Sequence, residues 1–229
     1  MKVLVIGGGA REHAIAWKLR ASPQVAEIFT APGNTGTAML GTNLDIAAMD
    51  VDGLLDAAKI NSIDLTIVGP ETTLEVGIVD RFRSEGLIIA GPSQAAARIE
   101  TSKAFAKDLM LKYNIPTGKA EFFTSYKSAS SYVEQTQMPI VVKADGLAAG
   151  KGVTVCHTHK IALRALREAM EDQAFGSAGD KVLVEECLSG PEISVFTFTD
   201  GVHLSPLVAA CDYKREGDGD SGPNTGGMG

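Results

Sequence analysis

Apolar residues in the first hundred positions fall in short unbroken runs separated by amphipathic stretches. Runs such as Val3-Leu4-Val5-Ile6 and Leu65-Thr66-Ile67-Val68 predict strands over 2–6, 26–30, 43–47, 64–68 and 87–90. Between them, apolar positions recur at helical spacing and predict helices over 12–21, 51–59 and 74–85. Continuous apolar strands alternating with helices indicate a parallel sheet covered on both faces, a doubly wound α/β unit. Ligands of such units gather beyond the carboxyl ends of the strands. Three loops follow such ends here: Gly7-Gly8-Gly9-Ala10-Arg11-Glu12-His13, Ala31-Pro32-Gly33-Asn34-Thr35-Gly36-Thr37 and Gly69-Pro70-Glu71.

From Thr101 the pattern changes. Thr101 or Ser102 can cap a helix reaching Tyr113, which Asn114-Ile115-Pro116 stops. Strands at 119–123, 139–143, 153–156 and 181–185 then alternate with helices at 128–137 and 160–171, as in a small α+β module. Ser189-Gly190-Pro191 breaks the chain before two longer alternating strands, 192–199 and 203–209, joined at Asp200-Gly201. The last stretch is rich in glycine and ends on Gly226-Gly227-Met228-Gly229, which reads as a domain cut in mid-loop.

Within the module, Val142-Lys143-Ala144-Asp145-Gly146-Leu147-Ala148-Ala149-Gly150-Lys151-Gly152-Val153 carries the most chemistry. Bare backbone N–H groups and two ammonium ends suit a polyphosphate. A Walker loop does not fit, because Asp145 stands at the first glycine position and Gly152 follows Lys151. A Walker loop also feeds a helix, whereas this one joins two strands of a hairpin, and a flexible surface hairpin is the bland alternative. The Gly7 loop lacks the third glycine of a dinucleotide fingerprint, since Glu12 occupies it, but a phosphate at the helix start beside Arg11 fits. Glu71 after Gly69-Pro70 is either a ligand carboxylate or an acid facing the helix dipole. Lys103 sits in a first helical turn, where a cation opposes the dipole and an anion would relieve it. Glu185-Glu186-Cys187-Leu188, with Glu192 beyond the turn, could form a nucleotide hinge or a charged strand end. Asp212, Lys214 and Arg215 read as a solvated loop, and Asn224-Thr225-Gly226-Gly227 has the composition of an anion nest. His13 has no visible nucleophile partner, which argues against a catalytic triad.

The net charge of −7 argues against a nucleic-acid or anionic-membrane surface, without excluding a local basic pocket. Three irregularly spaced cysteines read as reduced thiols of a cytoplasmic protein. The apolar start is too short for a signal peptide or a membrane span.

Taken in order, these residues resemble the glycinamide ribonucleotide synthetase (phosphoribosylamine–glycine ligase) family of the ATP-grasp superfamily. The matching stretches are Val5-Ile6-Gly7 through Arg11-Glu12-His13, the Ala31 to Thr37 loop, positions 64–71, Gly91-Pro92, Ser102-Lys103-Ala104-Phe105, positions 143–153, Ala174-Phe175-Gly176 and positions 222–229. The resemblance implies a Rossmann-like pre-ATP-grasp domain over 1–101. It places the start of an α+β ATP-grasp domain over 102–229, with a lid subdomain at 122–188. The implied activity, in purine biosynthesis, is ATP-dependent ligation of glycine to 5-phosphoribosylamine through glycyl phosphate, giving glycinamide ribonucleotide, ADP and phosphate. Lys103 and Lys143 would hold ATP phosphates under a lid containing Gly146, Gly150, Lys151 and Gly152. Glu185 would belong to the ATP site, the backbone at Glu186 and Leu188 would read adenine, and Glu192 would bind the ribose. Gly9, Arg11, Glu12, Pro32, Gly33, Asn34, Thr35 and Glu71, with Asp212, Lys214 and Arg215, would hold phosphoribosylamine. Asn224, Thr225, Gly226 and Gly227 would line the place where glycine reacts.

Phosphoryl transfer is mostly positioning and charge neutralisation, in keeping with the absence of a nucleophile. The resemblance further implies a monomeric full-length enzyme with Mg2+ or Mn2+, whose metal ligands lie in a stretch with no match in this chain. The chain is therefore expected to be an N-terminal portion, inactive alone, with small molecules as its only partners. Departures include Ala10 in the first glycine loop, Thr72-Thr73 after Glu71, Pro191 before Glu192, and Cys211-Asp212-Tyr213 in a substrate loop. The alternatives are another ATP-grasp carboxylate–amine ligase and a nucleotide-binding module without catalysis.

Overall fold

A computed structural model describes residues 1–147, 152–211, 213, 215–219 and 221–225. The chain divides into two compact units, Met1–Ala106 and Lys107–Gly229. No helix among the described residues is long and apolar enough to cross a membrane.

The first unit runs β1 (Lys2–Gly7), α1 (Ala10–Arg20), β2 (Glu27–Pro32), α2 (Thr35–Ala38), β3 (Thr42–Asn43), α3 (Val51–Ile60), β4 (Leu65–Val68), α4 (Glu71–Glu75), α5 (Ile78–Ser84), β5 (Ile89–Ala90) and α6 (Gln94–Thr101). Its sheet has the order β3-β2-β1-β4-β5, with every pair parallel. Period-2 alternation along β1 explains the two-sided cover. Leu4 and Ile6 join Phe29, Leu54, Leu55 and Phe82 on one face, while Val3 and Val5 join Ala16, Val25 and Ile28 on the other. Gly7 pairs with Pro32 and Ile6 with Val68, so three strands end at one edge and release their loops together.

Two local expectations need correction, and one helix is added. Residues 43–47 pair with β2 only through Thr42 and Asn43; beyond them, Leu44 and Ile46 turn inward to pack against the core. The helix expected over 74–85 is two helices, because Gly77 adopts φ +82 between them. Helix α6, not foreseen, is capped by Ser93, whose hydroxyl accepts from Ala96 N at 3.3 Å. Helix α7 (Lys103–Lys112) spans the division between the units, and Ser102 Oγ accepts from Phe105 N at 3.2 Å as the expected cap.

The second unit continues through β6 (Ala120–Phe123), α8 (Tyr126–Gln135), β7 (Ile140–Ala144), β8 (Val153–Cys156), α9 (His159–Met170), a 3-10 turn at Gly176–Gly179, and β9 (Val182–Glu186). These strands form an antiparallel sheet in the order β6-β9-β7-β8. Ile140, Val142, Val182 and Val184 face Ala129 and Val133 of α8 and Ala162, Leu166 and Ala169 of α9. Alternation therefore sends Val141, Lys143, Leu183 and Glu185 to the opposite face.

Past β9 the predicted long strands shorten. β10 (Ser194–Phe196) pairs with β11 (Val208–Ala210), and Thr199 and Leu204 form a single further bridge. Phe198 and Leu204 remain exposed there, so little burial favours longer pairing. A second small ribbon, unforeseen, pairs β12 (Arg215–Gly217) with β13 (Ser221–Asn224).

Candidate functional site

In the first unit, the three strand-end loops are stitched by side chains that bond backbone. Glu12, on the first turn of α1, is buried, and its Oε2 accepts from Gly9 N at 2.6 Å. The carboxylate fills the space that side chains on Gly7 and Gly69 would need. It thus caps the helix from inside the glycine loop, where the macrodipole favours negative charge. Asn34 ties the first two loops together, its Nδ2 donating to Gly8 O at 3.0 Å and Gly9 O at 3.2 Å. Its Oδ1 accepts from Gly36 N at 2.8 Å and Thr37 N at 3.0 Å, capping α2. Gly33 N donates to Gly7 O at 3.1 Å. Arg11 reaches the third loop, donating from Nη1 to Gly69 O at 2.7 Å and lying 3.3 Å from Glu71 Oε2. Gly9, Arg11, Pro32 and Thr35 are exposed and Gly33, Asn34 and Glu71 half-buried, so the cluster presents an accessible cation beside exposed loop backbone. His13 packs against Gly36.

In the second unit, the loop after β7 joins two antiparallel strands, as expected of a hairpin that is not a Walker loop. Ala144 N donates to Gly152 O at 2.8 Å and Asp145 N to Lys181 O at 2.9 Å, closing the base of the loop. Gly146 has φ +117, a conformation that L side chains rarely adopt. Lys143 pairs in register with Leu183, and Val141 with Glu185, so Lys143 and Glu185 are diagonal neighbours on one face. The Lys143 ammonium bonds Glu185 Oε2. Glu185 Oε1 accepts from Lys107, a residue that the sequence reading missed. Lys107 Nζ also donates to Thr117 Oγ1 at 2.6 Å and Gly118 O at 2.8 Å. Lys107 and Glu185 are buried and Lys143 is partly exposed. Burial, the largest influence on Glu185, pushes its carboxyl up. The hydrogen bonds from Lys107 and Lys143 outweigh it and hold the group below its ordinary value. A lysine three residues after buried Ala104, on the inward stripe of α7, was the available signal.

Glu186 is exposed as the last residue of β9, and Leu188 and Glu192 are exposed beyond it. Lys103 belongs to the first unit, at the start of α7. Arg215 and Asn224 face each other in the register of the last ribbon, and Thr225, half-buried, follows it. Gly150, Lys151, Asp212, Lys214, Gly226 and Gly227 lie outside the described residues.

Comparisons with known proteins point one way. Residues 1–100 match the N domain of phosphoribosylglycinamide synthetase, and residues 101–229 match its ATP-grasp (A) domain. A phosphoribosylamine–glycine ligase of Yersinia pestis is 52% identical over 231 residues, covering 100% of this chain and 54% of that protein. The crystal structure of the phosphoribosylamine–glycine ligase from Thermotoga maritima superposes with a TM-score of 0.76 at 30% identity, covering 100% of this chain and 54% of the other. A biotin carboxylase from Campylobacter jejuni, described as a complex with beta-gamma-ATP, shares the fold with a TM-score of 0.68 at 16% identity, over 91% of this chain and 49% of that one. This chain spans about half the length of the relatives that it matches. The two domain matches cover every residue from first to last and follow the order of the units described above, so the chain belongs to the phosphoribosylglycinamide synthetase family.

Proposed function

We propose that this chain supplies nucleotide-binding and amine-binding surfaces of a ligase that joins glycine to 5-phosphoribosylamine. ATP would phosphorylate the glycine carboxylate, the amine would attack glycyl phosphate, and glycinamide ribonucleotide, ADP and phosphate would leave. The observation that carries this reading is Lys143, poised beside Glu185 at the mouth of a glycine loop in a chain of this family. Lys143 and Lys103 would meet ATP phosphates, and the backbone at Gly146, Gly150 and Gly152, with Lys151, would close over them. Glu185 would act through Lys143, the backbone of Glu186 and Leu188 would hold the adenine, and Glu192 would take the ribose. In the first unit, Gly9, Arg11, Glu12, Pro32, Gly33, Asn34, Thr35 and Glu71 would hold phosphoribosylamine with Asp212, Lys214 and Arg215. Asn224, Thr225, Gly226 and Gly227 would line the glycine site.

The chain's part in such chemistry is to position and neutralise charge. Among the described residues no three His, Cys, Asp or Glu side chains converge to hold a metal ion. Mg2+ or Mn2+ belongs to the proposal for the full-length enzyme. A cytoplasmic, monomeric full-length enzyme belongs to the same proposal.

The test is release of ADP that depends on both glycine and 5-phosphoribosylamine, measured in the full-length protein and in this chain. Full-length turnover that falls at least about a hundredfold in Lys143→Ala is expected, the scale of one lost transition-state donor. In this chain we expect ATP binding by calorimetry without turnover. Full-length ADP release indifferent to glycine would overturn the proposed reaction.

A further inference from the structure

The proposed reading gives Lys107 no task, yet Lys107 and Glu185 are the two buried charged residues among the described residues of the second unit. One carboxylate there faces two ammonium groups, Lys107 on Oε1 and Lys143 on Oε2. The two cations are not equivalent. Lys107 gives its three donors to Glu185, Thr117 Oγ1 and Gly118 O, and its side chain is 4% exposed. An ammonium has three donors, so Lys107 is fully committed. The Lys143 side chain is 28% exposed and stands at the end of β7, where the glycine loop begins.

A buried carboxylate holding a single cation would resist losing it, because departure would strand an uncompensated charge. With Lys107 in place, departure of Lys143 leaves a neutral Lys107–Glu185 pair. The three groups together carry one excess positive charge, which an approaching anion can claim only from Lys143.

We propose that Lys107 is a positioning residue for nucleotide binding: by keeping Glu185 neutralised, it lets Lys143 leave the carboxylate and take a phosphate oxygen. This rests on the nucleotide site proposed above. Without Lys107, Lys143 and Glu185 would form a one-to-one buried pair and Lys143 would stay latched.

The experiment is calorimetric titration of this chain with ATP, with circular dichroism to verify that each variant is folded. Lys107→Met is expected to raise the Kd about tenfold, the scale of one weakened charge-assisted contact to phosphate. Glu185→Gln unlatches Lys143 and should bind ATP at least as tightly as the unmodified chain. Adding Lys107→Met to Glu185→Gln should then move Kd by less than about twofold, because Lys107 acts only through that carboxylate. A Lys107→Met penalty that persists undiminished in the Glu185→Gln background would mark Lys107 as merely structural and overturn the inference. Unchanged affinity in Lys107→Met would overturn it too. Should Lys107→Met not fold, weaker ATP binding by Glu185→Gln alone overturns it, and equal or tighter binding supports it. A different result, no ATP binding by the unmodified chain or an unchanged Kd in Lys143→Ala, would bring down the nucleotide site itself and this inference with it.

Discussion

The strand-end loops of the first unit and the lysine–glutamate cluster of the second are both suited to anions, but they are made of different material. In the loops, glycine-rich backbone forms the surface, and Glu12, Asn34 and Arg11 hold it from behind or across. In the cluster, two buried charged side chains back a third, Lys143, that is partly exposed, and the strands set the register of Lys143 and Glu185. Shape therefore governs the first region and charge balance the second. A methyl group is the sharper probe of one, and removal of a charge the sharper probe of the other.

The largest effect is expected from charge removal in the second unit. Glu185→Ala would leave the buried Lys107 ammonium without its carboxylate, a change that costs about 3–5 kcal/mol in buried pairs. Urea denaturation followed by far-UV circular dichroism measures it. A loss below about 1 kcal/mol would place the cluster with ordinary surface pairs and remove the contrast.

Next comes a steric change in the first unit. A side chain on Gly69 would fall on the Glu12 carboxylate, so Gly69→Ala should cost about 1–3 kcal/mol by overpacking. The same substitution in a Glu12→Ala background should cost clearly less, since the clashing group is gone. Equal costs in both backgrounds would mean that Glu12 does not occupy that space.

Asn34→Ala should cost about 0.5–2 kcal/mol through the lost cap of α2. Asn34→Asp keeps the acceptor for Gly36 N and Thr37 N but removes the donor to Gly8 O and Gly9 O. It should therefore retain much of the stability while loosening the link between loops, seen as faster amide exchange at Gly8 and Gly9. Matching exchange in the Asn34→Asp variant and the unmodified protein would assign the link to backbone alone.

The two regions also differ in how much of them the sequence disclosed. The doubly wound unit is legible because its strands are continuous apolar runs and its loops carry glycine where strands end. Asn34 and Arg11 stand in those loops and are found with them. Strand β3 is overread because Leu44 and Ile46 are apolar without being paired, since burial against a core and ladder formation leave the same pattern. The split at Gly77 was visible as a glycine but its φ was not. In the second unit, Lys143 stands out as a lysine ending an apolar strand. Lys107 does not, because its carboxylate partner is 78 residues away on β9 and only the folded unit brings them together. Helical spacing marked Lys107 as inward-facing but could not name what it faced.

The smallest expected effect separates a buried carboxylate from an exposed one by acid and salt. In the first unit, Glu85 bonds Lys59 at 2.8 Å and also Arg81, and these hydrogen bonds hold its carboxyl down to about 2 from an ordinary 4.5. In the second unit, Glu185 is also held low, against the upward push of burial. A carboxyl held low in the folded state adds stability that is complete above its ordinary value. That stability is lost as pH falls through the folded value. Both contributions should therefore be full near neutrality and fade from about pH 4.5 downward. Salt distinguishes them, because exposed charges are screened over about 10 Å at 0.1 M while buried pairs are screened much less. Comparing Glu85→Gln and Glu185→Gln with the unmodified protein in urea melts at pH 7, with and without 0.5 M NaCl, gives the reading. The deficit of Glu85→Gln should shrink in salt and that of Glu185→Gln should persist. If salt erased both, the Glu185 cluster would be as open to solvent as the surface pair, and the division between a region governed by shape and one governed by buried charge would fail.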